Sequence, residues 1–270
     1  MAQDTGERLL SLYAASGGVA TVFSSKAEDY AASRPDYPSA LFDALRDTIP
    51  LTALSLIADV GAGTGLLTLG LLRRGYKVRA IEPSEPMRLI ADRLCGGYTG
   101  YRSASGTAEE LPLEPSSVDL ITAAQAFHWF KVEEARAEFL RVLRPEAKVA
   151  LIWNDRVSSE PLQVALDALF LEHGGERRSA LAAHEERGQV PIFFGSNSVT
   201  RLSWPHEHSL DEAGLSSLAF SRSYMPARDS PAGQEAGREL GRIFQRFSLK
   251  GKVAVRYRTV AMIGRPAIPG

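Results

Sequence analysis

Three glycines at alternate positions are the part of the chain best suited to ligand chemistry. Gly61, Gly63 and Gly65 follow the apolar run 56–60 and precede a leucine-rich segment with helical spacing. Glycine is needed where the backbone takes conformations closed to side chains, or where a ligand contacts the main chain. Glu82 ends the next apolar run, about 20 residues after the first glycine, where an acidic residue accepts hydrogen bonds from ribose hydroxyls. This spacing predicts a nucleoside site.

The spacing of the glycines bears on which nucleoside is bound. A dinucleotide motif has glycine at its first, third and sixth positions. Counted from Gly61, the sixth position is Leu66, and the third glycine comes one residue early. The stretch 59–65, Asp-Val-Gly-Ala-Gly-Thr-Gly, instead resembles the Asp/Glu-x-Gly-x-Gly-x-Gly signature of class I S-adenosylmethionine-dependent methyltransferases. Two alternatives stay open, a nicotinamide-dependent oxidoreductase and a non-catalytic S-adenosylmethionine-binding protein.

The resemblance implies a set of cofactor contacts. In that family the glycine loop faces a zwitterionic methionine tail, and S-adenosylhomocysteine is the product. The segment 106–112 borders the adenine in the family, although this chain has threonine at position 107, where an aspartate is frequent. The residues expected to bind the cofactor are Arg34, Asp59, Gly61, Ala62, Gly63, Gly65, Glu82, Pro83, Met87, Thr107, Ala108 and Gln125.

The end of a further apolar run carries the candidate catalytic residue. The run 117–124 reads as a central parallel strand, and the polar and aromatic residues 125–130 follow it at the edge where open α/β sheets bind ligands. This motif, Gln-Ala-Phe-His-Trp-Phe, resembles the one found in the trans-aconitate methyltransferase-like branch of the type-11 methyltransferases. His128 is a candidate base for an acceptor that must lose a proton, or else a support for the following helix. Trp129 is expected to line the pocket. The Asn/Asp-Pro-Pro-Tyr/Phe motif of base-amino methyltransferases is missing here, which argues against nucleobase substrates.

Two further segments are expected to cover the acceptor. The stretch 30–38 has two prolines and predicts an ordered, extended segment before a helix at 39–48. Similar segments cover the cofactor in small-molecule methyltransferases, so Arg34 is expected to pair with the methionine carboxylate and Tyr30 to contact substrate. In the Ser-Arg-Ser-Tyr motif, Arg222 is a candidate anchor for an anionic acceptor, or else a member of a surface salt bridge, with Tyr224 beside it.

Alternating strand and helix patterns over about 100 residues predict an α/β fold with a doubly wound parallel sheet. By resemblance this is a seven-stranded, mostly parallel, Rossmann-like sheet with an antiparallel final strand at its edge and a partly helical substrate cap. The expected organisation is an N-terminal segment and lid (1–38), a cofactor-binding core (39–155), and covering helices with the last two strands (156–270). Strands are expected at 199–204 and 252–263, and helices near 162–171 and 231–247.

The amino-acid composition argues against several classes of function. With a formal net charge of −1, the chain lacks the excess of basic side chains that is typical of nucleic-acid-binding proteins. A single cysteine, Cys95, excludes an intrachain disulfide framework and fits a reducing compartment, so we expect a cytoplasmic protein. No apolar run approaches the roughly 18 residues of a membrane span. We expect a small-molecule acceptor, no nucleic-acid or membrane partner, and a monomer or homodimer. His206 and His208 are expected to lie in a solvated loop, with no metal site.

Overall fold

The computed structural model describes residues 11–14, 17–183 and 187–268. Its strands are Leu56–Val60 (β1), Lys77–Ile81 (β2), Tyr101–Ala104 (β3), Val118–Ala124 (β4), Leu143–Arg156 (β5), Val199–Leu210 (β6) and Val253–Gly264 (β7). Its helices are Val19–Ser24 (α1), Ala27–Ser33 (α2), Ser39–Thr48 (α3), Leu66–Leu72 (α4), Glu85–Cys95 (α5), Val132–Val142 (α6), Pro161–His173 (α7), Gly175–Ala183 (α8), Val190–Phe194 (α9), Glu212–Phe220 (α10) and Pro231–Phe247 (α11). A 3₁₀ turn, Phe127–Trp129, follows β4.

The seven strands form one sheet in the order β3-β2-β1-β4-β5-β7-β6. The pairs β1–β2, β2–β3, β1–β4 and β4–β5 are parallel, and the end strands are antiparallel. The predicted doubly wound sheet is therefore confirmed. The predicted position of the last strand is wrong, because β7 lies between β5 and β6 rather than at the edge. Its side chains are mainly buried, whereas those of the edge strand β6 are mainly exposed or half-buried.

Three local predictions also need correction. Tyr30 lies inside α2, so the extended segment begins only at Arg34, where the backbone leaves the helix. His206 and His208 lie within β6 rather than in a solvated loop, and His208 Nε2 is 3.1 Å from the Ser33 carbonyl oxygen. The strand containing 199–204 continues to Leu210, because alternating exposure persists through the histidines. The N-terminal segment expected over residues 1–38 falls partly outside the described residues.

Contacts divide the chain into two compact units. The sheet unit comprises Asp36–Asn154, Glu186–Trp204 and Thr259–Gly270. The helical unit comprises Met1–Pro35, Asp155–Glu185 and Pro205–Arg258. The domain boundaries expected after residues 38 and 155 stay predictions.

The sheet unit has an apolar cluster on each side of its strands, because the central strands are buried on both faces. One cluster centres on aromatic rings at the carboxyl end of β4, where Phe127 contacts Phe193 with ring centroids 5.3 Å apart. The other packs α3 and α4 against the sheet, and a methyl group added at Gly70 would meet the Phe42 ring at 2.1 Å. The helical unit has its own apolar cluster, formed mainly by α7, α10, α11 and the first half of β7. In the described part of the chain, no helix combines the length and apolar character needed to cross a membrane.

Candidate cofactor site

The glycine turn joins β1 to α4 through three residues in the left-handed region. The φ angles of Gly61, Gly63 and Gly65 are 69°, 56° and 84°, which side-chain-bearing residues rarely adopt. A methyl group added at Gly61 would meet the Ala126 methyl carbon at 2.5 Å. The turn therefore needs glycine both for its backbone conformation and for close approach to the segment after β4. Gly65 contacts the next helix, since an added methyl group would lie 3.1 Å from the Ala91 methyl carbon.

Asp59 holds the two elements on either side of this turn. Its carboxylate is buried, with Oδ2 accepting a hydrogen bond from Thr68 Oγ1 at 2.6 Å and Oδ1 accepting one from Thr122 Oγ1 at 2.8 Å. The Thr68 backbone N–H also donates to it. Burial raises the pKa of Asp59 to about 6, against the lowering effect of these hydrogen bonds. Asp59 thus ties the first turn of α4 to β4, and its direct contact with cofactor stays a prediction.

Glu82 follows β2 at the same edge of the sheet, because Val60 and Ile81 are paired in register. Glu82 Oε2 accepts a hydrogen bond from the Gly63 N–H, and Oε1 accepts one from the Ser84 N–H, both at 3.0 Å. Burial raises the pKa of Glu82, and these two hydrogen bonds act in the opposite direction. A carboxylate oxygen has two acceptor sites, so each oxygen retains one for a ligand hydroxyl. This arrangement fits the predicted ribose contact.

The carboxyl end of β4 carries an unusual backbone conformation. Gln125 has a φ of 57°, although it is not glycine. It is held by its neighbours: its N–H donates to the Ile152 carbonyl at 2.9 Å, and its Nε2 donates to the Asn154 carbonyl at 3.3 Å. Non-glycine residues in this region are uncommon and concentrate at functional sites. His128 and Trp129 follow in the 3₁₀ turn, half-buried, with ring centroids 4.6 Å apart.

The remaining predicted cofactor residues differ in exposure. Ala62 is half-buried, and Thr107 and Pro83 are exposed. Ala108 and Met87 are buried, so a contact from Ala108 would come from its backbone. The Ser84 side chain accepts a hydrogen bond from the Met87 N–H, which makes Ser84 the N-cap of α5.

Four predicted residues belong to the helical unit. Tyr30 and Arg34 are adjacent, with the Arg34 guanidinium 4.4 Å from the centroid of the Tyr30 ring. Arg222 and Tyr224 lie just after α10, and Tyr224 stacks edge-on against Phe170 with centroids 5.7 Å apart. Their contacts with cofactor or acceptor stay predictions.

Sequence reasoning missed the threonines that hold Asp59. A signal was present, because Thr68 is the only polar side chain in α4, and Thr122 is surrounded by apolar residues in β4. An isolated hydroxyl in an apolar segment predicts a buried hydrogen-bond partner. Thr64, within the turn, was also missed. Its hydroxyl is buried and has no hydrogen-bond partner among the described residues.

One group in the described residues has the composition of a metal site. Glu172, His173 and Glu239, in the helical unit, bring their ligand atoms within 4.8 Å of one another. His173 Nε2 and Glu239 Oε2 are already 3.0 Å apart, which a simple hydrogen-bonded pair explains. Exposed acidic groups of this kind are common without a metal ion.

Comparison with known proteins agrees with the geometry. The seven-stranded sheet with its glycine turn defines a Rossmann-like methyltransferase fold, and a type II methyltransferase structure from Anaeromyxobacter dehalogenans superimposes with a TM-score of 0.59. That protein is 26% identical, over 86% of this chain and 97% of its own. The family model described as "Methyltransferase domain", of type 11, matches residues 58–151. An uncharacterised methyltransferase of Mycobacterium bovis is 40% identical over 202 residues, 75% of this chain and 76% of that protein. The chain belongs to this methyltransferase family.

Other relatives match over a shorter region. An uncharacterised methyltransferase of Schizosaccharomyces pombe is 36% identical over 148 residues, 53% of this chain. The match spans 56% of that relative's length, so it covers only about half of the protein. The family confirms the resemblance to class I methyltransferases and disfavours the nicotinamide-dependent oxidoreductase. The trans-aconitate branch stays a prediction.

Proposed function

We propose that this chain transfers the methyl group of S-adenosylmethionine to an oxygen, of a carboxylate or a hydroxyl, on a small-molecule metabolite. Membership of the methyltransferase family supports the reaction class. The observation that carries the choice of cofactor is the Glu82 carboxylate, which is hydrogen-bonded to the Gly63 and Ser84 N–H groups and still has acceptor capacity. A ribose with two free hydroxyls matches that capacity.

The sheet unit has groups that fit the other parts of the cofactor. The turn 61–65 would face the methionine tail, and the buried Thr64 hydroxyl provides a polar atom without a hydrogen-bond partner in the described chain. The Ala108 backbone would contact the adenine. The exposed Thr107 hydroxyl is the side chain available for that contact in place of the family's aspartate.

Methyl transfer from S-adenosylmethionine requires few catalytic side chains. S-adenosylmethionine supplies an electrophilic methyl group and its own leaving group. The protein therefore aligns the acceptor oxygen and excludes water, with reacting atoms held about 3 Å apart. A carboxylate acceptor needs no base, whereas a hydroxyl must lose a proton, for which His128 is the candidate.

Calorimetry with the purified full chain tests the cofactor assignment. We expect S-adenosylhomocysteine to bind with one site per chain and NAD⁺ to show no measurable heat. Tight NAD⁺ binding together with no S-adenosylhomocysteine binding would contradict the proposal.

A turnover assay separates an enzyme from a non-catalytic binding protein. Methyl-labelled S-adenosylmethionine is incubated with a panel of carboxylic acids and alcohols, and labelled ester or ether is counted. We expect label on an oxygen of at least one metabolite. Label found only on nitrogen or carbon would exclude oxygen as the acceptor atom. Cofactor binding without transfer to any panel member would favour the binding protein.

The amino-acid composition supports two further proposals, on the acceptor class and on the cellular location. The balance of 31 basic and 32 acidic side chains favours a small-molecule acceptor over nucleic acid. The single cysteine favours a cytoplasmic location. The chain is proposed to act as a monomer or homodimer.

A further inference from the structure

An open cleft lies at the amino end of β2 and β3, in the sheet unit. Its volume is about 420 Å³, and it is lined by residues of both strands and of the turn between α5 and β3. Lys77 is the first residue of β2, whereas Glu82 follows the last one, so about 16 Å of extended chain separates the two. The cleft is therefore distinct from the candidate cofactor site at the carboxyl end of the same strand.

Three basic side chains line this cleft, which we call the basic cleft: Lys77, Arg79 and Arg102. Lys77 and Arg79 lie two residues apart on β2, so their side chains leave the same face of the sheet, about 7 Å apart. Arg102 is the register partner of Arg79 on β3, and neighbouring strands are about 5 Å apart. The three positive groups can therefore converge on one small anion.

The basic cleft lacks counter-charges. Among the described residues no acidic side chain lines it, and its three basic side chains make no ion pair. Like charges at directly opposed positions of a sheet lower its stability, and Arg79 and Arg102 are such a pair. Other arginines of the sheet unit have carboxylate partners: Arg46 pairs with Asp43, Arg141 with Glu138 and Arg144 with Asp119. An anionic ligand would supply the counter-charge that the basic cleft lacks.

The wall of the basic cleft is partly fixed before any ligand binds. Arg102 Nη1 donates hydrogen bonds to the carbonyl oxygens of Tyr101 and Thr99, at 2.6 and 3.4 Å. Its Nε and Nη2 atoms have no acceptor in the described part of the chain and stay available to a ligand. Gly100 lies against β2, since a methyl group added there would meet the Tyr76 carbonyl oxygen at 2.9 Å. Fixing a binding group in advance lowers the entropic cost of binding.

We propose that the basic cleft binds a small phosphorylated molecule that carries a diphosphate group or two phosphate groups. Guanidinium forks match phosphate oxygens in geometry, and lysine binds phosphate as a point charge. Tyr98 and Thr99 also line the cleft and provide hydroxyl donors. The volume of the cleft lies in the range of small-molecule sites. This second site does not depend on the proposed methyl transfer.

Calorimetry and thermal unfolding of the purified full chain with inorganic pyrophosphate test the proposal. Inorganic phosphate and malonate are the comparison anions, at one ionic strength and without divalent cations, because salt screens exposed charges. We expect pyrophosphate to bind one site per chain with a Kd below about 1 mM and to raise the Tm, since a ligand that binds only the folded state stabilises it. Phosphate has a single tetrahedral group and malonate has only carboxylates, so each should bind at least about 10-fold more weakly.

Two variants and one control locate the binding. Arg79→Gln and Lys77→Gln should each weaken pyrophosphate binding by roughly 5- to 30-fold, through loss of a charged hydrogen bond in an open cleft. The Tm of Arg79→Gln without ligand should equal or exceed that of the wild type, because the substitution removes a like-charge pair. Arg46→Gln removes the same charge from the same unit, but Arg46 is paired with Asp43 and lies outside the cleft, so this variant should bind pyrophosphate as the wild type does.

Several results would overturn the proposal. One is the absence of pyrophosphate binding to the wild type, and another is equal binding of phosphate or malonate, which would remove the preference for a diphosphate. If Arg79→Gln and Lys77→Gln bind as Arg46→Gln does, pyrophosphate lies elsewhere on the chain. Displacement of pyrophosphate by S-adenosylhomocysteine would place it in the cofactor site.

An oligothymidylate that displaces pyrophosphate and binds more tightly would assign the basic cleft to a nucleic-acid backbone and would also overturn the proposal. Failure of S-adenosylhomocysteine to bind the wild type would refute the proposed function alone. The pyrophosphate titrations would still report on the basic cleft in that case.

Discussion

Replacing Glu82 with glutamine should separate the two roles of this carboxylate. Glutamine has nearly the same shape but one acceptor oxygen in place of two. In the structure one oxygen accepts the Gly63 N–H and the other the Ser84 N–H, so the variant's amide nitrogen must face one of these donors. An unsatisfied N–H costs about 1–3 kcal/mol of folding stability. Loss of a charged acceptor for ribose costs about 1.5–3 kcal/mol of binding, or roughly 10- to 150-fold in Kd.

A double-mutant cycle isolates the ribose contribution. Calorimetry at pH 7.5 compares S-adenosylhomocysteine with its 2′,3′-dideoxy analogue on the wild type and on Glu82→Gln. We expect a coupling free energy of at least about 1.5 kcal/mol, because the dideoxy ligand has no hydroxyls for Glu82 to accept. Glu85→Gln is the matched control, since Glu85 is exposed in the first turn of the following helix.

Equal losses for the two ligands would refute the ribose contact and leave Glu82 as a support of the glycine turn. The pH dependence gives a second check. Because the pKa of Glu82 is raised, its acceptor form is lost as pH falls through a value above the ordinary 4.5. S-adenosylhomocysteine affinity should therefore weaken on acidification in the wild type and stay flat over that range in Glu82→Gln.

Three further perturbations follow from the same site. The pKa of Asp59 is raised to about 6, so its charged form opposes folding: stability should fall as pH rises from about 4 to 6, by about 3 kcal/mol. Chemical denaturation should show this fall in the wild type and not in Asp59→Asn, and an identical pH profile would contradict it. Gly61→Ala should lower stability by about 1–3 kcal/mol more than Gly75→Ala, because both have positive φ but only Gly61 meets another residue; equal Tm losses would disprove the contact. With a hydroxyl acceptor, His128→Ala should cut the single-turnover rate by roughly 10²–10⁴, and an unchanged, pH-flat rate would show that His128 is structural.

The parallel part of the sheet was predictable because its central strands β1 and β4 are mainly apolar, whereas β3, Tyr-Arg-Ser-Ala, gives only a weak pattern. β1 is followed directly by a glycine and β2 by a glutamate, and α11 begins at a proline after a serine cap. Local patterns of this kind predict elements well. The place of β7 inside the sheet was not predictable in this way, because the alternation of 253–258 is equally compatible with an edge strand. Strand order depends on long-range pairing, which periodicity does not encode.

The candidate site likewise has contacts that local sequence patterns predict and contacts that they do not. The glycine turn and Glu82 lie within the 22 residues 61–82, so their contact follows from one strand–helix–strand unit. The Asp59 carboxylate and the Thr122 hydroxyl that donates to it are 63 positions apart. Arg34 Nε and Arg222 Nε are buried and make no hydrogen bond among the described residues, although each arginine taken alone in the sequence is indistinguishable from a surface charge.

Two features at the candidate cofactor site lower folding stability, and neither is needed to build the sheet. Gln125 occupies a backbone region that costs about 1–2 kcal/mol per non-glycine residue. Glu82 is a carboxylate whose charged form is disfavoured by burial. A sequence selected for stability alone would have glycine at position 125. Local departures of this kind mark functional sites in otherwise consistent folds. Gln125 and Glu82 follow β4 and β2, the strands on either side of β1, where the cofactor is proposed. Ligand binding would therefore stabilise the folded chain at the same positions where the sequence lowers its stability.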